Sequence, residues 1–224
     1  MIITLLIFIL LGVIFFSLGN IFLDLYTKYI DRDCSRLHYN ILDIILLGLF
    51  VLTLLISAFS FFIPLNTHLL LIILIPCLIY FILGINNRKI VKPSFKHIPI
   101  FYFLVFAFII FHVSFMIDTY DAKYYHLQQI ESISRFPIIK GLANLEDRYG
   151  FNSNSFLLHS LFGLKSILGY YFFSLNPFLF FAVFAFLLKN ISQKLSFFNI
   201  AALAVFVFIY LSVGHLLCSS ISDI

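Results

Sequence analysis

Six apolar runs, each close to the length of a bilayer crossing, constrain this chain more than any other feature. They cover residues 2–19, 41–64, 68–84, 99–117, 170–188 and 197–217. A hydrocarbon core about 30 Å thick takes roughly 20 helical residues. Lipid offers no hydrogen bonds, so a backbone inside it must satisfy its own, and a helix does this within one segment. The predicted fold class is therefore all-α: a polytopic transmembrane helical bundle of about six spans, with one or two interfacial helices on the outer face. All of it forms a single membrane domain over residues 1–224.

Composition excludes the main competitor, a water-soluble domain. Only 11% of residues are charged and 62% are hydrophobic, where a soluble domain carries about 25% charged residues. The few basic residues form no cluster with interleaved aromatics, which argues against a nucleic-acid partner; the bilayer itself is the expected partner. The first run has no basic residue before it and exceeds the apolar stretch of a signal peptide, so it reads as a retained helix.

Basic residues orient the bundle. Lys28, Arg32 and Arg36 follow the first run; Arg88, Lys89, Lys92 and Lys96 follow the third; Lys189 and Lys194 follow the fifth. With six spans all nine fall on one side, the cytoplasmic one. The N-terminus, the turn at 65–67, the long segment 118–169 and the tail 219–224 then lie outside, the arrangement of a multi-pass protein of a bacterial cytoplasmic membrane. Residues 153–169 are apolar enough to compete as a span but contain His159 and Lys165. A lysine at the bilayer centre costs about 2.5–3.5 kcal/mol, which favours a helix lying on the outer surface.

Chemistry is expected in the outer segment, the one extended polar stretch. A surface helix over 119–135 can be capped by Asp118 or Thr119 and is ended by Pro137. On it Asp121, Tyr125 and Gln128 share one face, and Leu127, Ile130 and Ile133 form the apolar side. The loop 138–154 turns at Gly141 and Gly150 and carries Asn144, Glu146, Asp147 and Arg148. That mixture suits a charged, hydroxyl-rich ligand, and equally suits an ordinary solvated loop.

An aspartate just after a span, followed by a surface helix, resembles the GT-C superfamily of membrane glycosyltransferases. The outer segment is also similar to an uncharacterised bacterial family of polytopic proteins. The matching elements are Tyr120-Asp121, Tyr125-His126, the Gly-Leu-x-Asn-Leu element at 141–145, and Arg148 with Phe151-Asn152-Ser153. The tail 219–223 matches a later Ser-rich element of that family, with Ser222 where a proline is usual.

The resemblance implies transfer of a sugar from a polyprenyl-phosphate carrier, the lipid-linked donor, to a cell-envelope glycan or lipid on the outer face, as in polysaccharide biosynthesis. It implies Asp121 as the catalytic carboxylate, because a sugar hydroxyl must lose its proton as it attacks. Asp223 is the second acid, or else a plain tail residue. Tyr125, His126, Asn144, Arg148 and Asn152 are implied substrate contacts, with Arg148 suited to a phosphate oxygen or to pairing with Glu146 or Asp147. A divalent cation, Mg or Mn, would stabilise the leaving phosphate; Asp118 is its candidate ligand, although a helix cap is that residue's ordinary role. GT-C enzymes generally have more spans than six, and the chain stops at Ile224 inside a motif-like stretch. An amino-terminal fragment of a longer protein is therefore expected.

Three other readings stay open: a surface-polysaccharide polymerase or ligase, a lipid-linked flippase, and a non-catalytic membrane scaffold. The spans hold no ionisable residue away from their ends, which argues against ion-coupled transport. His112, His126, His159 and His215 lie on or near the outer side without metal-ligand spacing, whereas His68 and His97 have no evident partner. Asn40 and Asp43 are expected to cap the second helix, and Asn176-Pro177 to kink the fifth. Cys34, Cys77 and Cys218 fall at three different depths, too far apart for a disulfide.

Overall fold

The computed structural model describes residues 2–30, 40–86, 106–108, 111, 125–141, 144, 154–194 and 196–213. Its long helices are α1 (Ile2–Tyr29), α2 (Ile41–Phe59), α3 (Thr67–Asn86), α7 (Leu175–Gln193) and α8 (Phe197–Val213). Three short ones, α4 (Leu127–Arg135), α5 (Asn154–Phe162) and α6 (Lys165–Leu168), lie between α3 and α7 in the chain. Among the described residues, four helices are long and apolar enough to cross a membrane: α1, α2, α3 up to Gly84, and α7. The 17-residue α8 is shorter, at about 25 Å. Of the expected span at 99–117, only 106–108 and 111 are described, and they are helical.

α1 runs through the centre. Leu11, Ile14 and Phe15 are fully buried against Leu52 and Ile56 of α2 and Leu70 of α3. Phe15 also meets Phe162 of α5 edge-on at 5.8 Å, and Phe8 meets Phe178 of α7 at 5.7 Å. α1 and α2 approach closely enough for their backbones to touch, because Gly19 faces the Ile44 carbonyl and Gly48 faces the Phe15 carbonyl. Small residues at a helix crossing permit this in lipid, where packing rather than hydrophobicity drives association. The Ser17 hydroxyl donates to the Cys77 carbonyl at 3.0 Å and ties α1 to α3; Cys77 itself is a buried free thiol. Large apolar side chains turn outward on α1, α2, α3 and α8, among them Leu6, Phe50, Ile72 and Phe208. A soluble monomer rarely exposes so extensive an apolar surface; facing acyl chains it is satisfied. The architecture is that of a membrane-embedded helical bundle.

The bundle has two polar ends. At one, the Asn40 N–H donates to Asp43 at 2.9 Å, as expected for the α2 cap, and Lys189 Nζ donates to Asn40 Oδ1 at 2.7 Å. Tyr80 donates to Asp24 at 2.6 Å on the same end. The other, here the turn end, is built on the α2–α3 connection and receives α4, α5 and α6. The Leu65 N–H donates to the Ile133 carbonyl at 3.0 Å and the Ile138 N–H to the Ser60 carbonyl at 2.8 Å.

Three sequence expectations are corrected. The first helix does not stop at residue 19 but continues to Tyr29. No Gly or Pro interrupts 20–29, and Asn20 and Thr27 direct their side chains back onto the Phe16 and Leu23 carbonyls. The Asn176-Pro177 pair does not kink a span, because α7 begins at Leu175. Pro177 therefore sits in the first turn, where an amide N–H has no intrahelical acceptor to lose. Within the apolar stretch 153–169, the α5 part does not lie exposed on the surface, whereas α6 has no buried residue. Phe156–Phe162 of α5 are all buried, as suits a helix apolar nearly all round. Nor does α5 cross. Asn154 accepts from Ser57 and Ser160 donates to the Leu65 carbonyl, so the nine-residue helix is a plug held at the turn end.

Candidate functional site

A polar pocket of about 400 Å³ opens at the turn end, between the start of α3, the last turn of α4 and the α5–α6 corner. Each wall has a local cause. Asn66 caps α3 by accepting from the His68 and Leu69 N–H groups at 3.0 and 3.3 Å, which fixes Thr67 and His68 at the rim. α4 is amphipathic: Ile130 is fully buried with Leu127 and Ile133 packed beside it, as its apolar spacing predicts, so Glu131, Ser134 and Arg135 are left facing the pocket. The chain turns sharply on either side of α6, at Leu164 (φ 50°) and Gly169 (φ 79°), both left-handed. Those turns bring Lys165 over α4 and Tyr171 against it.

Charge is concentrated on one triad. Lys165 Nζ lies 2.8 Å from Glu131 Oε1, and the Arg135 guanidinium pairs with the same oxygen. The hydrogen-bonded Lys165 holds the Glu131 carboxyl below the usual carboxylate range, partly opposed by burial, and Arg135 adds to the lowering. Lys165 also sits over the Tyr171 ring, 4.9 Å from its centroid. Hydroxyls complete the lining: Ser166 donates to Thr67 at 2.6 Å, and Ser134 and Tyr171 share a hydrogen bond at 3.3 Å.

The residues expected from sequence distribute differently. Asp118, Asp121, Arg148, Asn152 and Asp223 lie outside the described residues, as do His97, His112, His215, Cys34 and Cys218. Tyr125 and His126 form a π-type turn leading into α4. His126 is buried, its ring 5.0 Å from Phe156, so it packs against the plug rather than lining the pocket. Tyr125 is half-buried beside it. Asn144 is exposed and closes a turn by donating its N–H to the Gly141 carbonyl at 2.9 Å; Gly141 is left-handed, as a turn glycine should be. Among the described residues no group of three or more His, Cys, Asp or Glu side chains is placed to hold a metal ion.

Behind the pocket, His159 of α5 is wholly buried and rests edge-on against Phe173 at 5.2 Å. Its Nε2 has no hydrogen-bond partner. Burial pushes the imidazole pKa down to about 4, and the nearby His126 adds to the shift.

Sequence reading missed Glu131, Arg135, Lys165, His68 and Tyr171. One signal was available: Glu131 and Arg135 stand four apart on the polar face of an amphipathic helix, a spacing that pairs them. Lys165 gave the opposite signal, since a cation in an apolar stretch reads as a cost until its partner is known.

Fold and pocket together define a membrane-embedded, all-helical protein with a polar, cation-bearing cup at one end. The chain belongs to the DUF8201 family, a domain of unknown function, whose model matches residues 1–224. No curated protein and no solved structure matches it.

Proposed function

We propose that this chain is a GT-C-like membrane glycosyltransferase, with six spans and its N-terminus and turn end on the outer face of a bacterial cytoplasmic membrane. It transfers a sugar from a polyprenyl-phosphate carrier to an envelope glycan or lipid acceptor. The observation that carries this reading is the pocket's position. A polar cup bearing Lys165 and Arg135 caps a bundle whose outer surface suits acyl chains, and all its walls but the start of α3 come from the segment that follows Asp121. A polyprenyl phosphate has the matching form, a long apolar tail ending in an anion.

In the proposed step the acceptor oxygen attacks the anomeric carbon, the bond from that carbon to the phosphate oxygen breaks, and the phosphate leaves on its lipid. Asp121 accepts the acceptor's proton. Pocket cations stabilise the charge that develops on the leaving phosphate. Asp223 is the second acid, and Arg148, Asn144 and Asn152 contact donor or acceptor. A divalent ion at Asp118 has no ligand set among the described residues, and no step is routed through one.

Asp121→Asn tests the activity. The variant is expected to insert normally and to lose sugar transfer from a polyprenyl-phosphate-sugar donor in reconstituted vesicles; unchanged transfer would remove the enzyme reading. Orientation is tested separately in intact cells. A cysteine replacing the exposed Lys140 should react with an impermeant maleimide, and one replacing Lys189 should react only after the membrane is opened. Labelling of the Lys189 position from outside would invert or break the six-span topology.

A further inference from the structure

We propose that the turn-end pocket is a phosphoryl-anion site in which Glu131 is a built-in counter-ion, displaced from Arg135 and Lys165 when the ligand enters. This deepens the transferase reading and rests on it only for the lipid attached to the phosphate.

The charge arrangement carries the inference. Two cations converge on one carboxylate oxygen, so the triad keeps one net positive charge. All three groups are partly exposed, with side-chain accessibilities of 65% for Arg135, 41% for Lys165 and 32% for Glu131. Ion pairs this wet contribute little to stability, so exchanging Glu131 for an incoming anion costs the fold little. Phosphoryl oxygens then recover charge-assisted hydrogen bonds from the same donors, and the arginine fork can hold two of them. Lys165 stays aimed at the pocket as it leaves Glu131, because the Tyr171 ring lies beneath its ammonium group. Thr67, Ser134 and Ser166 add hydroxyl donors around the same space. About 400 Å³ holds a phosphate or pyrophosphate with room for part of a sugar. A site for a neutral sugar or a cation would use Glu131 as a ligand contact, and the two possibilities respond oppositely to its removal.

The test is titration of the full-length protein in nanodiscs with inorganic pyrophosphate and with farnesyl phosphate. Glu131→Gln removes the competitor and is expected to tighten pyrophosphate binding roughly tenfold, whereas Lys165→Met weakens it by a similar factor. Opposite shifts from two substitutions in one triad do not arise from misfolding. Equal binding by wild type and both variants, or weaker binding by Glu131→Gln, overturns the site. Farnesyl phosphate binding with the same pattern and higher affinity identifies a lipid headgroup as the source of the phosphate; pyrophosphate binding alone identifies a free phosphate. If binding follows this pattern while Asp121→Asn leaves transfer intact, the transferase reading fails alone. If Asp121→Asn abolishes transfer and pyrophosphate is indifferent to Glu131 and Lys165, the anion site fails alone.

Discussion

Gly48→Ala is expected to lower the melting temperature of the detergent-solubilised protein by roughly 6–12 °C, from a loss of about 3 kcal/mol. A Cβ at Gly48 would stand 1.8 Å from the Phe15 carbonyl oxygen and 2.6 Å from its carbon. Those are backbone atoms of a long central helix, so no rotamer change relieves the overlap and α1 must move away from α2. The move would also loosen the reciprocal contact four residues along each helix, where Gly19 meets the Ile44 carbonyl. The control is Gly12→Ala on the same central helix. There the added carbon meets only Phe178 at 3.9 Å, an ordinary contact, and alanine is the better helix former by about 0.5–1 kcal/mol. Equal melting temperatures for the two variants would mean that α1 and α2 do not cross at these glycines.

Acid is expected to destabilise the protein through His159, with an effect nearly as large. The imidazole is held neutral in the fold, with its pKa pushed down to about 4, and has its ordinary value of 6.5 when unfolded. Above 6.5 both states are neutral and the group contributes no pH dependence. As pH falls below 6.5 the unfolded chain takes up a proton that the folded one refuses, so stability declines until the folded group also titrates near 4. The interval corresponds to roughly 3 kcal/mol at most. Melting curves collected between pH 7 and 4 should show this slope in wild type and lose most of it in His159→Gln, which keeps a polar side chain without the titration. Glu131 acts in a different window: its lowered pKa gives stability that is lost only below the usual carboxylate range. His126, the neighbouring imidazole that adds to the shift, remains in both proteins, so a slope unchanged in His159→Gln would assign the acid sensitivity to another group.

How much of this was legible in the sequence depends on whether a feature is local. Hydropathy marks α1, α2, α3 and α7 because burial in lipid is a property of each segment alone. The Asn40–Asp43 cap, the Leu127, Ile130 and Ile133 face and the Gly141 turn are equally short-range, and all three lie where their spacing puts them. What failed depends on partners far along the chain. The run from Phe156 to Phe162 reads as surface-bound because hydropathy reports a depth and not a neighbour; α1, α2, α3 and α4 together supply the packing that buries it. The glycines at 19 and 48 are visible, yet nothing near them says that they meet. The pocket is the extreme case: Thr67 and Ser166 share a hydrogen bond across 99 positions, and Lys165 changes from a cost to a binding group once Glu131 is beside it.

The plug also sets an order of assembly. Ser160 closes onto a carbonyl that entered the membrane 95 residues earlier. At ordinary translation speeds that partner waits roughly 5–20 s. Throughout the wait the α2–α3 turn is present without α5, and the cleft that will receive Phe156–Phe162 has to be filled by lipid or water. α1, α2 and α3 must therefore hold together as a three-helix intermediate, and the close α1–α2 crossing gives them the means. The pocket forms only after that three-helix core exists, since one wall arrives with α4 and the next with the plug and the corner that follows it. A defect in the first crossing would thus be felt later in synthesis, as a cup that never closes.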